Sequence, residues 1–319
     1  MTKAFSTQVR FARPGAWLAA AGGLALAAAA AAQPDIPVDR DHNPILVQGE
    51  RLSRPAAEAR AAGFIRTTGV ASGEVPTARW VDPICPDVTG LVDNANRYAE
   101  QRIRRVAEAA GVPVAPDHCV RNIAISFAPD GAAMARAIGQ REGRRLSELS
   151  PSAREAVLNG TAPIRWMYTT EVRSGDGRQE ALAASGATTP QQHAGTGAGS
   201  GLPGPGGLML YDSSIVSTLS QRVIVSAIVI IDQNQVMGRR LDSLADYAAL
   251  VALAEIRAAG ATPQGSILAM FTAPDAPRSL TAQDAAFLRA LYRLSLDRQA
   301  IQHRGVLVDQ IADALTGNP

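Results

Sequence analysis

The chain has 319 residues, 46% of them hydrophobic and 19% charged, so it is long enough to bury a full-sized core without relying on staples. The formal net charge is only +2 and the basic residues are scattered, which argues against an electrostatic footprint for nucleic acid or anionic lipid.

Residues 1–32 begin with Lys3, Arg10 and Arg13, run through an Ala- and Leu-rich stretch, and end at small residues before Gln33. This three-part pattern predicts a secretory signal peptide cleaved before Gln33. A retained anchor is the alternative, because the apolar stretch approaches the lower length of a spanning helix. No cysteine lies near the junction for lipid attachment, and no later stretch is apolar enough to span a bilayer. The expected mature product is therefore periplasmic or secreted, with no integral membrane segment after cleavage.

Residues 33–75 read as a polar lead-in with a short helix in RLSRPAAEARAAGF, begun or interrupted by Pro55. The remainder, 76–319, reads as one domain. VPTARWVDPI is extended between Pro76 and Pro83, and a helix is predicted over 91–110, with Ala95, Tyr98, Ile103 and Val106 at helical spacing and Gly111 as its stop. NIAISFAP alternates Ile123, Ile125 and Phe127 as a half-buried strand does, and feeds a helix over 131–138. A short helix follows in SPSAREAVLNG, with a capping box expected at Ser152 and Glu155. IRWMYTTEV is a strand with Trp166 and Tyr168 on one face and Met167 on the other. These aromatics fit packing on the sheet better than an exposed ligand platform.

Residues 174–207 are rich in Gly, Ala, Ser and Pro and cannot repay the entropy of ordering, so they form a flexible segment, either disordered or a lid. Their GTGAGSGLPGPGG run lacks the GKS or GKT ending of a phosphate loop. VIVSAIVII is a strand buried on both faces, and Ser217, Ser220 and Ser226 have no nucleophile context.

In RLDSLADYAALVALAEI, Ser243 and Asp246 stand three apart before an apolar run, so Ser243 is expected as N-cap and Asp246 as the N3 carboxylate of a central helix. Glu255 is nine residues further on, about 13 Å along the axis, which is long for a glycosidase carboxylate pair. A second capping box is expected at Thr281 and Asp284, with Phe287, Leu291 and Leu294 continuing its apolar face. The last helix runs through Ile301, Val308, Ile311 and Leu315, with His303 on its polar side.

The two cysteines, Cys85 and Cys119, are most simply a disulfide in an exported chain. Free thiols or a metal site are the alternatives, although the neighbours His118 and Cys119 point apart in an extended segment. No metal site, no cofactor and no catalytic constellation is singled out.

The order of RWVDPICPDVTGL, a helix, a strand, the flexible segment and the LADYAALVALAEI helix resembles uncharacterised exported proteins of alphaproteobacteria from about Trp80 onward. Its outline is also similar to zincin-type metallopeptidases, but HExxH occurs nowhere, and that resemblance implies shape alone. The expected fold is α+β, a small central sheet covered by several helices. The expected function is an exported envelope protein that binds protein or polymer. The alternative is a hydrolase of metallopeptidase-like fold, its ligands lost or gathered from positions such as His42, His118 and Asp246.

Overall fold

The computed structural model describes residues 51–141, 146, 149–174, 218, 220–258 and 262–317, all within one compact unit spanning 34–319. The expected signal peptide and all but the first residue of the expected flexible segment at 174–207 lie outside the described residues.

Four strands form one mixed sheet in the order β1-β2-β4-β3: β1 (Pro86–Thr89), β2 (Ile123–Ala128), β3 (Ile164–Ser174) and β4 (Ser220–Asp232). β1, β2 and β4 are parallel neighbours, and β3 runs antiparallel to β4. Alternation divides the side chains between two cores. Ile123, Ile125, Phe127, Trp166, Tyr168, Val229 and Ile231 face the larger core. Met167 and Ile230 face a smaller one with Ala128, Ala135, Leu146 and Val157. β4 is central and apolar on both faces, which is why its sequence runs continuously instead of alternating.

Seven α-helices are described: α1 (Arg54–Thr68), α2 (Asp93–Ala110), α3 (Gly131–Arg141), α4 (Pro151–Asn159), α5 (Leu241–Leu253), α6 (Ala282–Arg293) and α7 (Ala300–Thr316). The architecture is α+β, with α3 and α4 contributing Ala135 and Val157 to the small core and the others covering the opposite face. α1 is started by Pro55 at its first turn and buries Ala57, Ala61, Phe64 and Ile65, Phe64 stacking 4.9 Å from Phe287. Ala57, Ala61, Phe64, Ile65, Val70 and Ala71 of the expected lead-in thus belong to the large core.

α2 buries Ala95, Ala99, Ile103, Val106 and Ala107, a stripe at helical spacing, and leaves Arg97 and Gln101 exposed. It stops where Gly111 takes φ +81° and donates its N–H to the Ala107 and Glu108 carbonyls, a left-handed cap that glycine adopts without steric cost. Every residue of α5 except Asp242 is buried, making it the hub between β4, α2 and α6.

Three expected caps can be compared with the structure. The Thr281–Asp284 box is present in both directions at the start of α6. In α4 the cap is Ser150, whose hydroxyl accepts from Ala153 N–H, and not Ser152, because Pro151 already takes the first helical turn. In α5 the N-cap is Arg240, so Ser243 and Asp246 are the third and sixth helical residues and do not cap it. Asp242 fills the first-turn role, accepting from Ser243 N–H at 2.9 Å. Ser243 Oγ instead donates to the Arg278 carbonyl at 2.5 Å. By the sixth residue the backbone amide is already bonded within the helix, so Asp246 has no orphan amide to serve.

α7 also reverses part of its expected pattern. His303 is 1% exposed while Ile301 is 64% exposed. The imidazole is inside because both its nitrogens have backbone partners: Nδ1 accepts from Thr77 N–H at 3.3 Å, and Nε2 donates to the Ser295 carbonyl at 2.9 Å.

Candidate functional site

The buried ionisable groups come first, since strongly perturbed carboxylates are where chemistry concentrates. Asp246 is 0% exposed and meets Arg102 of α2 through a bidentate pair, Nε–Oδ1 2.7 Å and Nη2–Oδ2 2.8 Å, while Oδ2 also accepts from Leu280 N–H at 3.2 Å. Burial raises its carboxyl above the usual range, with the Arg102 guanidinium opposing. The pair ties α5 to α2 and to the segment entering α6.

Glu255 receives two bonds of 2.8 Å from Arg222, one of 3.1 Å from Arg257 and one of 3.1 Å from Ala78 N–H. Burial pushes its carboxyl up, but Arg222 and Arg257 outweigh that and hold it down at about 2. Asp284 is raised by burial and accepts from Ser266, Ile267 N–H and the Thr281 cap. Each of these carboxylates has its oxygens aimed at groups of the fold, which is a structural use.

The C-terminal ends of the parallel strands, the usual ligand edge of such a sheet, are stitched together by their own side chains. Asp232 accepts from Gly131 N–H at 2.9 Å, Gln233 donates to the Gly90 carbonyl at 2.7 Å, and Asn234 donates to the Pro129 carbonyl at 2.7 Å. Gly90, at φ +96°, lies so close to Phe127 that a Cβ would meet its carbonyl oxygen at 2.0 Å, which closes this edge further. Arg165, 3% exposed beside Gly131, keeps Nε and Nη1 without hydrogen-bond partners.

An open cleft of about 510 Å³ lies at the other end of β1, between α2 and the loop entering β2. The Cys85–Cys119 disulfide forms part of its wall and ties that loop to the start of β1 across 34 residues. Asn122 reinforces the tie, accepting from Cys85 N–H at 2.7 Å and donating to the Pro83 carbonyl at 3.1 Å. Arg104 donates to Glu100, to the Ala115 carbonyl at 2.7 Å and to Cys119 Sγ at 3.7 Å. Arg121 pairs with Asp87 at 3.0 Å. Arg97, Gln101, Asp117 and His118 also line the cleft and are exposed. Among the described residues their side chains make no hydrogen bond or ion pair, so donors and acceptors of both signs face solvent there. His118 holds φ +64°, a left-handed conformation unusual for a side-chain-bearing residue, and the adjoining Val120 is 92% exposed.

The sequence points to the disulfide of this cleft but not to the cleft itself. Gln101 and Arg97 are one helical turn apart on α2, yet nothing local shows that the 117–121 loop folds back over them. Among the described residues no group of three or more His, Cys, Asp or Glu could hold a metal. His118 is exposed, Asp246 is committed to Arg102, and His42 lies outside the described residues.

No family model, no curated protein and no solved structure matches this chain.

Proposed function

We propose that the chain is an exported envelope protein that acts by binding another envelope protein or an envelope polymer, through the cleft walled by Cys85–Cys119. The observation that carries this reading is the open cleft itself, where Arg97, Gln101, Asp117 and His118 present side-chain polar groups to solvent. Free polar groups of both signs in an open cleft suit a ligand bearing amides and charges of both signs, as peptides and peptide-bearing wall polymers do. Export rests on the tripartite N-terminal pattern and on the intramolecular disulfide, which forms and persists in oxidising compartments. Among the described residues no helix is long and apolar enough to cross a membrane.

The test is retention of the purified full-length protein on washed cell-wall polymer and, separately, on immobilised envelope proteins, comparing the wild type with Arg97→Glu. Binding to one of the two materials that falls at least tenfold in the variant, with an unchanged melt, supports the reading. Equal retention of the two proteins, or none on either material, contradicts it.

A further inference from the structure

We infer that the Cys85–Cys119 bridge is a thiol-exchange site, opened by an external dithiol with the protein still folded, and that Arg104 is the residue that activates it. The inference goes beyond the binding reading and does not depend on it. Its basis is placement. A bridge that serves only as a staple is best kept away from solvent and from cations, whereas exchange is favoured where a sulfur is accessible and a positive charge stabilises the thiolate. Cys85 is buried, but Cys119 is half-buried at the wall of the open cleft. The Arg104 guanidinium lies 3.7 Å from Cys119 Sγ. Arg104 is fixed there by its bonds to Glu100 and to the Ala115 carbonyl, so its charge is held at the sulfur rather than sampling solvent. On the rim Arg121 pairs with Asp87, Arg97, Asp117 and His118 are exposed, and Glu100 pairs with Arg104, whose Nη2 is the cationic group that touches the sulfur.

The exchange balances as follows. One thiolate of the dithiol attacks Cys119 Sγ; the Cys85–Cys119 bond breaks and its electron pair leaves on Cys85 Sγ, which takes up a proton. The second thiol of the reductant, as thiolate, then attacks the reductant sulfur of the mixed disulfide, and Cys119 departs as a thiolate beside Arg104. Two electrons pass to the protein and the reductant leaves as a disulfide. In the first transition state negative charge gathers on the attacking and departing sulfurs to either side of Cys119, and in the second it develops on Cys119 itself, so Arg104 assists the first step in part and the second most directly.

Two measurements test this. In Cys85→Ser the freed Cys119 thiol, titrated by its thiolate absorbance, is expected to ionise about one unit below the ordinary thiol value of about 8.5 and to return towards it when Arg104→Gln is added. In the full chain with both cysteines present, reduction by dithiothreitol under native conditions is expected to outpace global unfolding. Arg104→Gln is expected to slow it about threefold and Arg104→Lys to restore most of the rate, one pKa unit converting to about half a logarithmic unit of rate at the Brønsted slope of thiol exchange. The kinetic arm stands even where Cys85→Ser does not fold. Reduction that proceeds only as fast as unfolding, or that is unchanged or accelerated in Arg104→Gln, overturns the proposal and leaves Arg104 as a loop clamp. A Cys119 thiol at or above the ordinary value does the same.

Discussion

Removing either member of the Arg102–Asp246 pair should be far more damaging than replacing both. Asp246 is wholly buried and Arg102 keeps 15% of its side chain exposed, so the two single variants are not equivalent. Asp246→Ala strands a guanidinium that can still reach water and leaves Leu280 N–H unpaired, for an expected loss of about 3 kcal/mol. Arg102→Ala strands a carboxylate with no route to solvent, and the expected loss at neutral pH is about 3 to 5 kcal/mol. That second loss should shrink as pH falls, because burial already raises the Asp246 carboxyl and protonation removes the stranded charge. Replacing both charges at once with apolar side chains of similar volume, Asp246→Leu together with Arg102→Met, should cost less than about 1 kcal/mol, at least about 2 kcal/mol less than either alanine variant alone. Urea unfolding followed by tryptophan fluorescence gives these values. Single losses that add to within about 0.5 kcal/mol would refute the pair as the connection between α2 and α5.

The remaining expectations concern the bridge and two buried titrating groups. Replacing both cysteines with alanine should cost about 3 to 4 kcal/mol, the loop-closure value for a 34-residue separation, measured by denaturant unfolding; a loss below about 1 kcal/mol would contradict it. His303 has its pKa lowered by burial, so between the unfolded value near 6.5 and the lower folded value the unfolded chain binds the extra proton. Stability should therefore be complete above pH 6.5 and fall as pH drops through that window, a slope that His303→Gln should remove in unfolding measured at several pH values. Glu255 has a folded pKa of about 2 against 4.5 unfolded, so its contribution, about 3 kcal/mol, is present above pH 4.5 and lost as pH falls towards 2. Glu255→Gln should be destabilised at neutral pH, with Arg222 and Arg257 left buried, and should show a shallower acid limb in the same titration.

What is legible in the sequence is whatever depends on neighbours in the chain. β2, β3 and β4 follow from apolar alternation or an unbroken apolar run, α2 ends at the glycine expected to end it, and the Thr281–Asp284 box forms because both its halves lie within four residues. Asp246 misleads for the converse reason. Ser-x-x-Asp before an apolar run has the local form of a cap, and the partner that decides its role, Arg102, is 144 residues away. His303 misleads in the same manner: a histidine on a helix reads as polar until Thr77 and Ser295 are seen to satisfy both ring nitrogens. Glu255 shows only its distance from Asp246 in sequence, since Arg222 on β4 and Ala78 before β1 reach it only in the folded chain. The cleft is of this kind too, assembled by a disulfide from two loops and one helix face.

Binding through that cleft is tested most directly by placing a photo-crosslinking amino acid at Gln101, inside the cleft, and in a second protein at Glu108, exposed further along α2. After illumination of intact cells, a discrete adduct from position 101 that is absent from position 108 and lost on adding Arg97→Glu is the result expected. Adducts of equal yield from both positions, or none from position 101 in a protein that is folded and exported, would contradict it.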